Sequence, residues 1–306
     1  MRKRYTKNEI KEKWKELLND PDLLYHNGSG IFNYKGVLED APAMLYIDYI
    51  AKLILDDNII LDSIGENLND LRYSRSFNIG HDGKSDSSSR LMKYGRIRFN
   101  EKPFAMALYN SGHNFLFGKI FDYELPLKER LTSRYGEIDI LSKIDNEIYV
   151  IELKIGYTDS GKISETLLRA IMETFTFTKL LNIRKDNFIK DMKLPETITF
   201  RPVILTMTNA LSADHMKMLE NGELKNINNL IDEMNKYFSK LNILPFKFFA
   251  IDGHNPELIQ DNKRIIFKDP SFVHSKVIEF FLPPAVAIRP EGKYFQQSII
   301  ISEVFL

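Results

Sequence analysis

The feature that most constrains this chain is the stretch GEIDILSKIDNEIYVIELKIG, residues 136–156, in which two apolar runs flank a polar turn. Such a pattern predicts a β-hairpin. The second run is apolar enough to be buried, yet it carries Glu152 and Lys154 two residues apart. Because alternate side chains of a strand face opposite ways, these two charges share one face, and Ile151 and Leu153 share the other.

Asp139 lies on the first strand of this hairpin, where strand pairing can bring it beside Glu152. Two carboxylates a few ångströms apart repel each other and stay ionised together only when a cation lies between them. Oxygen ligands favour a hard cation such as Mg²⁺, beside which Lys154 could orient a water molecule or neutralise a phosphate. An exposed pair of opposite charges, with Asp139 at a solvated strand end, is the structural alternative. Strand pairing alone leaves both interpretations open.

The apolar patterns from about residue 100 onward alternate between the periodicities of helices and strands. They predict, in order, a helix at 101–110, a strand at 118–127, the two hairpin strands, a helix at 164–182, a strand at 199–207, a helix at 212–240 and a strand at 244–252. This order predicts an α/β fold in which helices flank a mixed sheet with an antiparallel hairpin inside it. Helical patterns at 5–19 and 40–62 precede this core, and an apolar, strand-like run ends the chain.

The composition is that of a folded protein whose charges balance. The chain has 306 residues, a hydrophobic fraction of 43%, and 42 basic against 42 acidic residues. A net charge of zero gives no general attraction to polyanions, although it is compatible with a local basic groove. The absence of cysteine excludes disulfides, thiolate metal sites and a cysteine nucleophile. We see no secretory signal and no apolar run long enough to cross a bilayer, so we expect a cytoplasmic protein without a membrane partner.

Residues 136–141 and 150–154 resemble the motif of the PD-(D/E)xK, or restriction-endonuclease-like, nuclease superfamily, with an acid on the first strand and acid-X-lysine on the second. That superfamily has an α-β-β-β-α-β core, the order that the patterns predict here. The resemblance covers about residues 100–255, and Ile138 stands where the name of the motif has proline. The division of the chain that it implies is an N-terminal helical extension (1–95), a nuclease-like core (96–255) and a C-terminal extension packing on the core (256–306).

The resemblance also implies a role for each matching residue. In the superfamily the two acids, and commonly the backbone carbonyl after the second, bind a divalent metal, and the lysine acts in catalysis. These roles fall on Asp139, Glu152, the carbonyl of Leu153, and Lys154, with Mg²⁺ or Mn²⁺ as the expected metal. The implied activity is metal-dependent hydrolysis of phosphodiester bonds in DNA, with RNA as another candidate substrate and a homodimer as a candidate assembly. The alternative is an inactive nuclease-like domain that binds nucleic acid or a protein partner.

Many members of the superfamily carry a glutamate on the helix before the first strand, and Glu101 is the best match to it. Glu124, within the predicted strand, and Glu129, near the following turn, are rivals. Glu101 also has a structural explanation, because an acidic residue at the start of a helix interacts favourably with the helix dipole.

The helix after the motif carries Glu165, Arg169, Glu173 and Phe177 at a spacing of four, which places them on one side. RecB-type members of the superfamily have a glutamine and a tyrosine four residues apart on this helix, and Glu173 and Phe177 have that spacing without either residue type. A ladder of salt bridges explains the charged residues structurally. A contact with phosphate is the functional interpretation of Arg169.

A run of basic and aromatic residues, 90–102, comes just before the predicted core. Basic side chains interleaved with aromatic ones suit binding of a phosphate backbone, whereas a solvated surface is the structural alternative. The candidate contacts to nucleic acid in this run are Arg90, Lys93, Arg96 and Arg98.

Overall fold

The computed structural model of the chain describes residues 4–18, 30–57, 60–64, 72–73, 92–93, 96–97, 99–112, 114–115, 118–128, 136–156, 165–252, 256–274 and 276–283. The apolar run predicted at the end of the chain lies outside them. Among the helices of these described segments, none has the length and apolar character needed to cross a membrane.

The described elements largely follow the predicted alternation of helices and strands. The principal α-helices are α1 (Lys7–Leu18), α2 (Tyr46–Asp56), α3 (Ile60–Ser63), α4 (Glu101–Ser111), α5 (Leu167–Ile183), α6 (Lys185–Met192), α7 (Leu211–Glu220) and α8 (Lys225–Lys240). The strands are β1 (Arg72–Tyr73), β2 (Met92–Lys93), β3 (Arg96–Ile97), β4 (Asn114–Phe115), β5 (Gly118–Lys128), β6 (Gly136–Ile144), β7 (Glu147–Lys154), β8 (Thr199–Met207), β9 (Lys247–Ile251), β10 (Leu258–Asp261), β11 (Arg264–Phe267) and β12 (Val277–Phe280). A 3₁₀ helix, Pro270–His274, lies between the last two strands.

One mixed sheet organises these elements. Its strand order is β1-β5-β6-β7-β8-β9-β12, and β4 pairs with β5. Strands β5, β6 and β7 are antiparallel, whereas β7, β8 and β9 are parallel. Parallel neighbours need crossover connections, and these contain α5 with α6 and then α7 with α8. The prediction of an α/β fold with helices flanking a mixed sheet, and a hairpin inside it, is confirmed.

The sheet is buried on both faces. Helices α1, α2, α5, α6, α7 and α8 contribute to the hydrophobic cluster on one face, called here the helical face. Helix α4, the β10–β11 hairpin and the 3₁₀ helix cover the opposite face. Along β7, Val150 belongs to the helical face, and Ile151 and Leu153 belong to the opposite one. Charged side chains on either face of β7 therefore lie inside the protein.

Several elements differ from the predicted patterns for local reasons. The pattern at 40–62 begins too early, because a turn and an isolated bridge between Val37 and Leu45 precede α2. The pattern at 212–240 divides into α7 and α8 at a turn where Gly222 has a φ of +75°, a left-handed conformation that ends helices. Helix α6 and strand β12, which pairs with β9 at the edge of the sheet, were not predicted.

The regions predicted as extensions contribute to the central core where they are described. Ile10 of α1 and Ile47 of α2 lie in the same hydrophobic cluster as α5. Asp48 of α2 accepts hydrogen bonds from the N–H groups of Asn226 and Ile227, at 2.9 and 3.1 Å, in the first turn of α8. An N-terminal carboxylate thus satisfies backbone donors at the start of a distant helix, which fixes α2 against α8.

Candidate active site

The β6–β7 hairpin brings the predicted acids together at one end of its strands. Its two-residue turn begins with Asp145, whose φ of +49° is a left-handed conformation that aspartate tolerates. From the turn, the pairing runs in constant register to Ile140 opposite Ile151. The recorded pairing ends there, and Asp139, the next residue back along β6, reaches β7 through its side chain, which accepts a hydrogen bond from the N–H of Leu153. Burial and then repulsion from Asp139 raise the pKa of Glu152, so the two carboxyl groups are neighbours.

Asp139 is the half-buried member of this pair. Its Oδ2 accepts a hydrogen bond of 2.8 Å from the N–H of Leu153. Burial raises the pKa of Asp139 to about 8, although the nearby Lys154 acts in the opposite direction. Ionising this carboxyl group is therefore unfavourable unless a further cation approaches it.

Glu152 and Lys154 lie on the helical face of β7 and are only 5% and 3% exposed. This burial excludes the interpretation of an exposed pair of opposite charges. Glu152 Oε1 accepts a hydrogen bond of 2.6 Å from Lys154 Nζ. A buried ion pair requires good geometry and further partners to offset the loss of hydration. Glu165, just before α5, and Glu173, on α5, supply those partners.

Two carboxylates of the α5 region lie against the same lysine. Glu165 Oε2 and Glu173 Oε2 are 2.9 and 3.0 Å from Lys154 Nζ. Arg169 lies between the two glutamates, with Nη1 2.9 Å from Glu165 Oε1 and Nε 3.0 Å from Glu173 Oε1. The predicted ladder of salt bridges is therefore present, and it continues to Lys154, which the spacing along the helix did not indicate.

The pKa shifts follow from this enclosure. Burial, followed by repulsion from Asp139, raises the pKa of Glu152 well above its ordinary value. Burial also opposes the charge on Lys154, but the surrounding carboxylates, Glu152 foremost, outweigh it and hold the pKa of Lys154 well above its ordinary value. Burial opposes ionisation of Glu173 too, yet Lys154 and Arg169 lower its pKa overall. The site thus contains a charged lysine among carboxyl groups that do not all ionise together.

Glu101 opens α4 at the edge of the site, with Oε1 4.0 Å from Lys154 Nζ. Burial raises the pKa of Glu101 more than Lys154 lowers it. The adjacent Lys102 forms an ion pair with Glu124 on β5, which attaches the start of α4 to the sheet. Glu129 lies outside the described residues. Glu101, Glu124 and Glu129 were the candidates for the glutamate on the helix before the first strand. Among those that the structure describes, Glu101 is the one that lies near Lys154.

The fit of a divalent metal to these residues rests on the chemistry of the donors. Within the described part of the chain, no group of three or more histidine, aspartate or glutamate side chains is arranged to hold a metal ion. Asp139 and Glu152 nevertheless offer oxygen donors, and after burial it is repulsion from Asp139 that raises the pKa of Glu152. Five carboxyl groups share the site with two cations, Lys154 and Arg169. An excess of acids over cations, with Glu152 and Glu173 buried, fits a hard divalent ion.

The predicted contacts to nucleic acid are only partly described. Arg90 and Arg98 lie outside the described residues, and the side chains of Lys93 and Arg96 do as well. The backbone of Lys93 pairs with that of Arg96 across the two-stranded β2–β3 ladder. Arg169 is described, and its side chain is 26% exposed while it binds the two glutamates of the α5 region. A contact between any of these residues and phosphate stays a prediction.

Residues distant in the sequence hold the start of α5. The hydroxyl of Thr166 caps the helix and accepts a hydrogen bond from the N–H of Arg169 at 3.3 Å. Asn33 Oδ1 accepts from the N–H of Thr166 at 3.1 Å, and His215 Nδ1 accepts from the N–H of Leu167 at 3.4 Å. These contacts position the helix that carries the salt-bridge ladder. No sequence pattern indicated Asn33 or His215, because their contacts exist only in the folded chain.

Acidification is expected to destabilise the fold through His215. Burial lowers the pKa of His215 from 6.5 to about 4, so between these values the unfolded chain binds a proton that the native protein excludes. The free energy of unfolding should therefore fall by about 3 kcal/mol through this group as the pH drops from 7 to 4. His215→Gln keeps an acceptor for the N–H of Leu167 and should remove that part of the loss. Urea unfolding of both proteins at the two pH values measures it, and an equal loss in both contradicts the expectation.

Comparison of the chain with models of known protein families, with curated proteins and with solved structures found no match. The class of protein proposed below therefore rests on the fold and the site alone.

Proposed function

We propose that the protein is a Mg²⁺- or Mn²⁺-dependent nuclease that hydrolyses phosphodiester bonds of DNA. The observation that carries this proposal is that Asp139 of β6 lies beside Glu152 of β7, where its Oδ2 accepts a hydrogen bond of 2.8 Å from the N–H of Leu153. Lys154, two residues beyond Glu152 along β7, is buried and donates to it. The order α4-β5-β6-β7-α5-β8 supports a restriction-endonuclease-like core, because it repeats the α-β-β-β-α-β order of that superfamily.

Each residue of the site has a proposed role. Asp139, Glu152 and the backbone carbonyl of Leu153 hold the divalent ion. When bound, the ion supplies positive charge that offsets the negative charge developing on the phosphate. Lys154 orients the attacking water or neutralises a phosphate oxygen. Glu101, at the edge of the site, supports the position of the lysine.

A cleavage panel tests this function. Purified protein is incubated with duplex DNA, single-stranded DNA, DNA junctions and RNA, with Mg²⁺, with Mn²⁺ or with a chelator. We expect metal-dependent cutting of at least one DNA form, reduced on the order of 100-fold or more by Asp139→Asn, which removes a charged ligand. Asp145→Asn is the matched control, because it makes the same change in the exposed hairpin turn.

Two outcomes of the panel contradict the proposal. One is the absence of metal-dependent cutting of any of these substrates by the wild-type protein. The other is cutting by Asp139→Asn at the rate of the wild-type protein and of Asp145→Asn.

A non-catalytic domain that binds nucleic acid or a protein partner is the second candidate function. It is favoured by one observation, namely that Lys154 already forms ion pairs with the carboxylates that a metal would otherwise neutralise. Isothermal titration calorimetry with Mn²⁺ distinguishes the two. Binding that is lost in Asp139→Asn supports the nuclease, and the absence of binding by the wild-type protein supports the second candidate.

A further inference from the structure

Lys154 is enclosed more completely than its proposed catalytic role requires. Its ammonium group has three N–H donors, and three carboxylate oxygens lie within 3.0 Å of Nζ, one each from Glu152, Glu165 and Glu173. The side chain of Lys154 is only 4% exposed. With these oxygens in place, a water molecule or a phosphate oxygen has no free approach to the ammonium group.

Arg169 holds the two glutamates of this enclosure in position. Its Nη1 lies 2.9 Å from Glu165 Oε1 and its Nε lies 3.0 Å from Glu173 Oε1. The Oε2 atoms of the same two glutamates face Lys154. The guanidinium group therefore links both carboxylates into one unit. At the start of the helix, Thr166 caps the N–H of Arg169, and His215 of α7 accepts a hydrogen bond from the N–H of Leu167.

The contact between Glu165 and Lys154 is the one best placed for release. Oε2 of Glu165 and Oε2 of Glu173 both lie at ion-pair distance from Nζ, but Glu173 is buried whereas Glu165 is partly exposed. Glu165 and Arg169, whose side chains are 25% and 26% exposed, form the solvent side of the unit and can be reached by an incoming anion.

We infer that Glu165, Arg169 and Glu173 form a clamp, called here the α5 clamp, that keeps Lys154 from the substrate until the clamp opens. A phosphate group that binds Arg169 competes with both glutamates for the guanidinium group and thereby loosens the clamp. This regulation rests on the proposed nuclease function. It predicts that removing one clamp carboxylate frees the lysine and raises the activity of the site.

The accessibility of Lys154 tests the clamp without reference to cleavage. The metal-free protein is treated with N-hydroxysuccinimidyl acetate, and acetylation of each lysine is followed by peptide mass spectrometry. Glu165→Gln is expected to increase the rate at Lys154 about tenfold, because the neutral amide no longer holds the ammonium group and the reagent gains access to it. Glu233→Gln, which removes a glutamate 2.8 Å from the surface residue Lys236, is the matched control and should leave the rate at Lys154 unchanged.

Lys179 serves as an internal control for unfolding. It is the other buried lysine of the described residues and lies on α5, where its Nζ donates to the carbonyls of Leu61 and Asp62 at 2.9 and 2.6 Å. A clamp effect accelerates acetylation at Lys154 and not at Lys179. Equal acceleration at both residues, or no acceleration at Lys154, overturns the inference.

Cleavage assays then connect the clamp to function. Faster metal-dependent cutting by Glu165→Gln, together with faster acetylation of Lys154, supports the inference. Slower cutting overturns it, because Glu165 would then contribute to the reaction rather than restrain it. If neither protein cuts any substrate, the nuclease proposal fails, while the acetylation rates still decide whether the α5 clamp encloses Lys154.

Discussion

Lys154→Ala is expected to lower the free energy of unfolding by about 3–5 kcal/mol in metal-free buffer at neutral pH. The ammonium group of Lys154 is buried among the carboxylates of Glu152, Glu165 and Glu173. Removing it leaves buried carboxyl groups with Arg169 as the other cation of the site, so they must either take up protons or remain charged without compensation. The substitution should therefore damage folding as well as any catalysis.

One further substitution separates the charge of Lys154 from its packing, and a second serves as a control at the surface. Lys154→Met keeps a long side chain and should destabilise the protein almost as much as Lys154→Ala, because the lost charge dominates. Lys236→Ala removes an exposed lysine that is paired with Asp232 and Glu233, and should cost less than about 1 kcal/mol. Urea unfolding measures all three. A loss of less than about 1 kcal/mol for Lys154→Ala would show that the buried network contributes no more than a surface pair.

Asp139→Asn is expected to have the opposite effect and to stabilise the metal-free protein at alkaline pH. Burial raises the pKa of Asp139 from 3.8 to about 8, so the native protein retains a proton that the unfolded chain has lost. The free energy of unfolding of the wild-type protein therefore falls as the pH rises through this interval. Asparagine does not ionise, and its side-chain oxygen can still accept from the N–H of Leu153. At pH 9 the variant should be more stable by on the order of 3 kcal/mol.

Unfolding curves at pH 5 and pH 9, recorded with a chelator and then with Mn²⁺, measure this expectation. The variant should lose less stability than the wild-type protein between the two pH values. Added Mn²⁺ should raise the stability of the wild-type protein and leave Asp139→Asn unchanged, since a ligand stabilises only the state that binds it. Asp145→Asn, in the hairpin turn, should behave as the wild-type protein in both tests. A variant less stable than the wild-type protein at pH 9 would contradict the prediction.

The opposite signs of these two expectations have one origin. Five carboxyl groups surround two cations. Removing an acid should therefore raise the free energy of unfolding, and removing a cation should lower it. Natural active sites often retain such unfavourable charge because ligand binding requires it. The excess of acids supports the proposed binding of a divalent ion, which would supply positive charge to the site.

The five central strands of the sheet, β5 to β9, were predicted better than the boundaries of the helices. Strand β8 occupies 199–207, the predicted range, because a buried parallel strand is a continuous apolar run bounded by polar segments. The pattern at 40–62 did not reveal that α2 begins only at Tyr46, since the preceding turn contains apolar residues as well. Strand β12 was missed because four residues, Val277–Phe280, give too short a pattern.

The candidate site was predicted in part for similar reasons. The period of two along β7 placed Glu152 and Lys154 on one face, and the hairpin suggested Asp139 as their neighbour. The enclosure by Glu165 and Glu173 was not predicted, because the spacing of four along α5 shows that these residues share a side but not what that side contacts. Burial likewise could not be inferred from a strand that carries charge on one face.

The sequence by itself determined the alternation of helices and strands, the hairpin and the face that its charges share, because these follow from local periodicity and turn chemistry. Only the tertiary structure decided that this face is buried and that α5 lies against Lys154. The start of α5 is held by Asn33 and His215, which are far from it in the chain and reach it only after folding. The pKa shifts of the site arise from that packing, since burial and the convergence of charges are properties of the assembled protein.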